Sequence, residues 1–477
     1  MKALLAALLM CCGVAQAALP AGVARAFHEA GIPLSSVSLV VRESGQPQAL
    51  FTHEADRPMN PASVMKLVTT YAALELLGPD YRWKTEAYLA GKLDKKGTLN
   101  GNLVLKGYGD PKITVEQWQA FMADLRTQGL NAITGDLALD RSYFKLPEHD
   151  PAAFDQEPLR PYNVGPDALL VNFKAVRFGF MPDLTRNAVA VRTDPPLPDV
   201  AVSGLPQLVN GDCGDWRATI AAQYVNLERS AVASFPGRYS QSCGERDWYV
   251  ALLDHPHYVL GMFNAYFRDK GGKFAGDVVD GRVPRNATPF AVMESAPLYD
   301  IVRDVNKLSN NVMARQIFLT LATTRHPPPA TPALAADVVQ KWLKEKKQAM
   351  PGLVLENGSG LSRRERLTAN GLAHLLASAD KSAVREEFAS SLAVAAMDGT
   401  VQKRFRDGSV AGQALLKTGS LEGVRALAGY VINAEGRRFI VAAIINHPNA
   451  ARGGAALDYL VQWVYEEGGT YDPALRR

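Results

Sequence analysis

The alternation of apolar and polar residues divides the chain into three stretches of different character. Between residues 18 and 60 it predicts a short helix followed by strands, because "SVSLVVRE" and "QALFTH" are apolar runs of strand length joined by a Gly-containing turn. From Val64 the apolar positions fall at helical spacing (Val64, Leu67, Val68, Tyr71, Leu74), and the run stops at Gly78-Pro79, a helix terminator. From about residue 81 the pattern changes to short apolar runs cut by Gly, Pro and Asp turns, as in "LDKKGTLNGNLVLKGYGDPKIT", and it stays so to about residue 290. This block reads as one mostly-β insertion, or two nested ones. Beyond it, longer helical patterns return in "PLYDIVRDVNKLSNNVMARQIFLTLATT" and "PALAADVVQKWLKEKKQAM", separated by the Pro-rich loop "RHPPPATPA". "GQALLKTGS", "VRALAGYVINAEG" and "RRFIVAAIINH" then give three successive strands, the last two joined at Ala434-Glu435-Gly436, and the helix "ALDYLVQWVYEEG" follows. The expected fold is an α/β domain assembled from both ends of the chain and interrupted by a large β insertion.

Composition changes this picture little. The 477 residues are 47% hydrophobic and 21% charged, enough for two or three domains with sizeable cores. A net charge of +4, with no dense Lys/Arg stretch carrying interleaved aromatics, argues against a nucleic-acid surface. The first residues, "MKALLAALLMCCGVAQAALPAG", have the form of a secretory leader: Lys2, an apolar core from Ala3 to Val14, and an A-x-A site at Ala15-Gln16-Ala17. Residues 1–17 are therefore expected to be a signal peptide cleaved after Ala17, and the mature protein to be exported with no membrane span. Two cysteines then remain, Cys213 and Cys243, and in an oxidising compartment they are expected to form one disulfide. No CxxC or HExxH motif is present, and no cofactor or metal is expected.

The candidate chemistry lies in serine and lysine. S-x-x-K occurs three times: Ser63–Lys66, Ser142–Lys145 and Ser378–Lys381. Leu146-Pro147 follows the second, so no helix carries both side chains forward on one face. The third sits near a helix C-terminus, where the dipole does not favour a developing anion. Ser63 lies at a helix start, where free N–H groups favour negative charge, and the i, i+3 spacing brings Lys66 within reach of its hydroxyl. A serine needs a base to become nucleophilic, and a lysine serves once burial and a second cation lower its proton affinity. Ser309-Asn310-Asn311 is the only S-x-N in the chain, and Lys417-Thr418-Gly419 is the only K-T-G. Ser309 can relay a proton to a leaving amine, and Asn311 can hold Lys66. Lys417 supplies the second cation, Thr418 a donor for a terminal carboxylate, and Gly419 a close backbone approach. The N–H groups of Ser63 and Ser420 can form an oxyanion hole.

The order S-x-x-K, S-x-N, K-T-G resembles the penicillin-binding proteins and serine β-lactamases. The 245 residues between Ser63 and Ser309 are similar to the long insertion of the low-molecular-mass class C penicillin-binding proteins, D-alanyl-D-alanine carboxypeptidases/endopeptidases. "GNLVLKGYGDPKIT", "ENGSGLSR" and "MDGTVQKRF" add to the likeness, which runs from about residue 25 to 470. The resemblance implies a transpeptidase-like domain (antiparallel sheet with flanking helices; residues 18–80 and 290–477) with nested insertion domains at 81–180 plus 262–289 and at 181–261. It implies a peptidoglycan stem peptide as substrate, β-lactams as acylating inhibitors of Ser63, and a periplasmic location. It also implies that Arg363 helps bind substrate and that an acidic residue, Asp155 or Glu157, reads a diamino-acid side chain. Glu422 stands where relatives often carry Gln. The rival expectations are a β-lactamase, sharing the first step, and a catalytically silent peptidoglycan-binding protein.

Overall fold

The computed structural model describes residues 19–227, 229–348 and 350–471; the expected leader lies outside them. A six-stranded antiparallel sheet organises both ends of the chain. Its strands run in the order Ala393–Val394, Ala414–Leu421, Val424–Ile432, Arg438–Asn446, Val37–Glu43, Phe51–His53. Both faces are covered, so the inner strands are apolar throughout rather than alternating with polar residues. On the strand Arg438–Asn446, Ile440, Ala442 and Ile444 pack into one core with the helices Lys66–Leu77, Asn311–Ala322 and Ala369–Ala379. Phe439, Val441, Ala443 and Ile445 face the opposite core, closed by the helices Ala21–Glu29 and Gly454–Glu467.

The helix Lys66–Leu77 is buried on every side from Lys66 to Leu74, so its apolar residues lie all round it and its buried polar groups, Lys66, Thr69 and Thr70, are hydrogen-bonded. It ends at Gly78, whose φ of 85° turns the chain away. Helices Leu298–Leu308 and Asn311–Ala322 pack beside it. The single helical pattern in "PLYDIVRDVNKLSNNVMARQ" is thus two helices with a corner at Ser309-Asn310.

The insertion holds a seven-stranded mixed sheet built on the hairpin Lys84–Leu93/Thr98–Gly107. The strand Thr98–Gly107 also pairs in parallel with Ala132–Ile133 and Leu137–Asp140. Its edge strand Ala291–Glu294 pairs with Lys84–Leu93, so the insertion's sheet extends past the expected boundary at 289/290. Two helices, Val115–Thr127 and His255–Asp269, stand where turns and strands alone were expected. Trp118, Phe121, Met122 and Leu125 form a buried helical stripe, and Thr114 and Gln117 cap its start reciprocally; turn signals on either side hid this pattern. The smaller sheets between residues 176 and 250 share one apolar core with this region, where Phe178, Phe180 and Phe235 belong to the same cluster as Met262 and Phe263. The expected edges at 180/181 and 261/262 cut through the strand Val176–Asp183 and the helix His255–Asp269. Cys213 and Cys243 are bridged, with Cα atoms 4.7 Å apart. The insertion is tied to the helix Asn311–Ala322 by the buried Gln316, which donates to the carbonyls of Asp110 (3.3 Å) and Asp167 (2.8 Å).

Candidate active site

The turn Ala62–Met65 leads directly into the helix Lys66–Leu77 and presents Ser63 half-buried between buried neighbours. Ala62 has φ +46°, a left-handed conformation that costs an alanine on the order of 1 kcal/mol or more and needs enforcement by its surroundings. The enforcement is visible. The Ala62 N–H donates to Asn60 Oδ1 (2.9 Å), and Asn60 is locked in turn by Asn446 and by the carbonyl of Ser362. Two glycines close on the turn: a Cβ at Gly360 would lie 1.9 Å from the Ala62 carbonyl oxygen, and one at Gly419 would lie 2.6 Å from that of Pro61. Only glycine lets these two segments reach the turn.

Lys66 is fully buried, and among the described residues no carboxylate lies within ion-pair distance of it. Its Nζ meets three oxygens: Asn311 Oδ1 at 2.7 Å, the Ser359 carbonyl at 2.5 Å and Ser63 Oγ at 2.9 Å. The first two only accept, so they take two N–H groups. The third is a hydroxyl, able to donate to the remaining position. Two N–H groups and a lone pair are what a neutral amine offers. Burial holds the Lys66 pKa well below that of an ordinary lysine; the nearby Lys417 and Arg315 push the same way and Glu365 opposes them. Glu365 is itself buried and accepts four backbone N–H groups, those of Glu356, Asn357, Gly358 and Gly360. It thereby shapes the loop that delivers the Ser359 carbonyl to Lys66.

Ser309 ends the helix Leu298–Leu308 with φ +58°, and Asn310 caps the next helix by accepting the Met313 N–H (3.0 Å). This corner aims Asn311, the first residue of that helix, at Lys66. On the sheet, the fully buried Lys417 donates to Ser309 Oγ and to the Thr418 carbonyl, both at 2.8 Å. Burial lowers its pKa to about 7. Thr418 Oγ1 donates to Thr400 Oγ1 (2.8 Å), and Ser420 is exposed. The short strand Ala393–Val394 pairs only with Leu415 and Leu416, so no strand covers that edge from Lys417 onward. An extended peptide can pair there.

Ser63, Lys66, Ser309, Asn311, Lys417 and Thr418 therefore converge from segments up to 355 positions apart, with Gly419 and Ser420 alongside. Arg363 lies at the rim: it donates to the Glu422 carbonyl (3.1 Å) and carboxylate (3.3 Å) and stacks over Phe154 of the insertion at 4.7 Å. Asp155, next to Phe154, accepts from Tyr162 Oη (2.8 Å) and Asn163 Nδ2 (2.7 Å), whereas Glu157 pairs with Arg160 (3.3 Å). The other Ser–Lys pairs are engaged elsewhere. Ser142 Oγ donates to Asp140, and Ser378 Oγ meets Tyr71 Oη near the end of the helix Ala369–Ala379. Sequence reasoning missed Ser359, Glu365 and Arg315. The closely spaced glycines of "ENGSGLSRRE" were the signal for the first two; nothing in an apolar helix singled out Arg315.

Comparison with known proteins gives the family and the fold. The model of the D-Ala-D-Ala carboxypeptidase 3 (S13) family matches residues 19–466. The D-alanyl-D-alanine carboxypeptidase DacB of Haemophilus influenzae is 26% identical over 425 residues, covering 86% of this chain and 85% of that protein. The D-alanyl-D-alanine carboxypeptidase of an Actinomadura species is 28% identical over 436 residues, 86% of this chain and 77% of the other. Among solved structures, penicillin binding protein 4 of H. influenzae superposes with a TM-score of 0.77 at 23% identity, over 93% of this chain and 99% of that one. The peptidoglycan endopeptidase Bd3459 of Bdellovibrio bacteriovorus shares the fold at a TM-score of 0.51 and 17% identity, over 90% and 92% of the two chains.

Proposed function

The chain belongs to the D-Ala-D-Ala carboxypeptidase 3 (S13) family, and on that premise we propose that Ser63 is the nucleophile of a serine D-alanyl-D-alanine carboxypeptidase/endopeptidase. The observation that carries this reading is the Lys66 environment. Two pure acceptors and one hydroxyl around a buried amine leave its lone pair for the Ser63 proton.

A stem peptide ending in D-Ala-D-Ala lies along the free edge of the strand Ala414–Leu421. Its terminal carboxylate is drawn by the Lys417 charge and accepts from Thr418 Oγ1. Ser63 Oγ attacks the penultimate carbonyl while its proton passes to Lys66, and the oxyanion is held by the N–H groups of Ser63 and Ser420. The tetrahedral intermediate collapses as the proton taken up by Lys66 is relayed through Ser309 Oγ, itself held by Lys417, to the leaving amine. Free D-Ala or a cross-linked amine departs, and water hydrolyses the acyl-enzyme. Carboxypeptidase and endopeptidase reactions differ only in what lies beyond the scissile bond. Asp155, fixed beside the Phe154–Arg363 contact, is the acidic residue we assign to the substrate's diamino-acid side chain.

The location is the periplasm, supported by the leader-like first 17 residues and the Cys213–Cys243 bridge. Among the described residues no helix is long and apolar enough to cross a membrane.

Incubation with a fluorescent penicillin followed by a D-Ala-D-Ala pentapeptide tests the reading. Slowly lost label together with D-Ala release is expected. Rapid turnover of the label would favour a β-lactamase, and no label at all would leave a silent binding protein.

A further inference from the structure

A large cavity lies behind the catalytic residues, where the insertion meets the helix Asn311–Ala322. Its volume is about 840 Å³, within the range of small-ligand sites. Ser63, Lys66, Ser309 and Lys417 do not line it. Most of its wall is apolar, formed by Leu146, Pro147, Val164, Leu227, Leu253 and Phe318.

Two cations face this apolar space, and among the described residues neither has a carboxylate within ion-pair distance, although Glu365 and Glu356 act on Arg315, and Asp254 on Lys174, at longer range. Arg315 is more than nine-tenths buried; one guanidinium N–H donates to the Val164 carbonyl (3.1 Å), and among the described residues its Nε finds no partner. Among the described residues Lys174 also makes no ion pair, and its Nζ donates to the Leu253 carbonyl at 2.5 Å. Burial lowers the Lys174 pKa to about 8. Three acids share the lining, but two are already engaged. Asp254 caps the helix His255–Asp269 and pairs with His257, and Glu356 binds Ser362 and Arg364. Glu148 is exposed. His149, His255, Asn226 and Asn357 are also among the polar lining residues.

The backbone here is also strained. Asn172, Phe173 and Lys174 run in succession at φ +46°, +54° and +50°, and Leu253, which accepts from Lys174, stands at +62°. Four left-handed non-glycine residues fall at or beside this contact, a kind of backbone strain that clusters at ligand sites.

We propose that this cavity is a second binding site for a monocarboxylate with an apolar body, its carboxylate set between Lys174 and Arg315. Such a ligand supplies a charged acceptor to two cations whose direct partners are backbone carbonyls and buries its apolar part against the prolines and leucines. The same chemistry is found in an acyl-chain acid and in the C-terminus of an apolar peptide.

Calorimetric titration of the full chain with sodium octanoate, and separately with acetyl-L-leucyl-L-leucine, tests the site; the tighter ligand tells acyl chain from peptide terminus. Saturable one-to-one binding is expected with and without prior acylation by benzylpenicillin, while 1-octanol binds far more weakly. Lys174→Met removes the charge and keeps the apolar stem. Leu227→Glu sets an opposing carboxylate on an exposed wall position. Each should weaken binding about tenfold or more, as loss of a charge-assisted hydrogen bond implies. Absence of saturable binding, equal affinity in both variants, or displacement by penicillin acylation would overturn the proposal. Should penicillin fail to acylate the protein, the Ser63 assignment fails, and the unacylated comparison of variants still decides the cavity.

Discussion

Lys66 and Lys417 are both fully buried and, among the described residues, both lack an ion-pair partner, an arrangement that would be costly were it only structural. Burial lowers the proton affinity of both: Lys66, beside Ser63 and Asn311, lies well below an ordinary lysine, and Lys417, which donates to a serine hydroxyl and a carbonyl, has a pKa of about 7. The charge on Lys417 is thus present below about pH 7 and lost above it. If that charge draws the substrate carboxylate, kcat/KM falls as pH rises through about 7, because kcat/KM reports the free enzyme. The pH profile of kcat is expected to be flatter, since a bound carboxylate favours the charged form. Lys417→Arg keeps its charge at every accessible pH and removes this alkaline limb, at the cost of a lower overall rate; pH profiles of D-Ala release check it. The reactive residues were legible in the sequence because each sits in a short motif that occurs once or survives a positional test. Glu365 and Arg315 were not, since their roles arise from burial beside Lys66 and a lone Glu or Arg in a sequence carries no mark of burial.

At the scale of elements, the site is a junction of three segments pressed together by small residues. The nucleophile turn meets the loop at Gly360 and the strand at Gly419, and the S-x-N corner exists because one helix ends at Ser309 and another begins at Asn311. Apolar periodicity identified the helices and the three C-terminal strands. It did not show the corner, because the apolar face continues across it. It also missed the helices Val115–Thr127 and His255–Asp269, whose stripes lie between strong turn signals. The closeness of Gly360 to Ala62 gives a direct prediction. Gly360→Ala places a methyl group on the Ala62 carbonyl oxygen at a backbone φ of 81°, so the turn must move. A displacement near 1 Å lowers the acylation rate about 100-fold while the fold persists. Stopped-flow acylation and circular dichroism on the same sample separate the two effects.

For the whole molecule, both ends of the chain build one sheet, and the insertion hangs from it through the region around Gln316 and the Arg363–Phe154 contact. The long separation of the motifs in sequence is therefore no separation in space. The sequence-based outline of an interrupted α/β domain matches this architecture, but three of its edges fell inside or beside secondary-structure elements. Domain edges of this kind are set by shared core contacts, and the pattern of any single segment does not reveal them. The Cys213–Cys243 bridge lies in the insertion, apart from the catalytic residues. Its removal in Cys213→Ala/Cys243→Ala lowers the stability of the insertion by ~3–4 kcal/mol on the chain-entropy model and leaves the rate of penicillin acylation near that of the native protein. Denaturant titration alongside labelling kinetics checks both halves.

The central claim is that Ser63 becomes acylated with Lys66 as its base. Peptide mapping by mass spectrometry of the full chain after brief exposure to benzylpenicillin tests it most directly. The account predicts a single adduct on the peptide containing Ser63, absent in Ser63→Ala and strongly slowed in Lys66→Met. An adduct on any other serine, or unchanged labelling of Ser63→Ala, would contradict it.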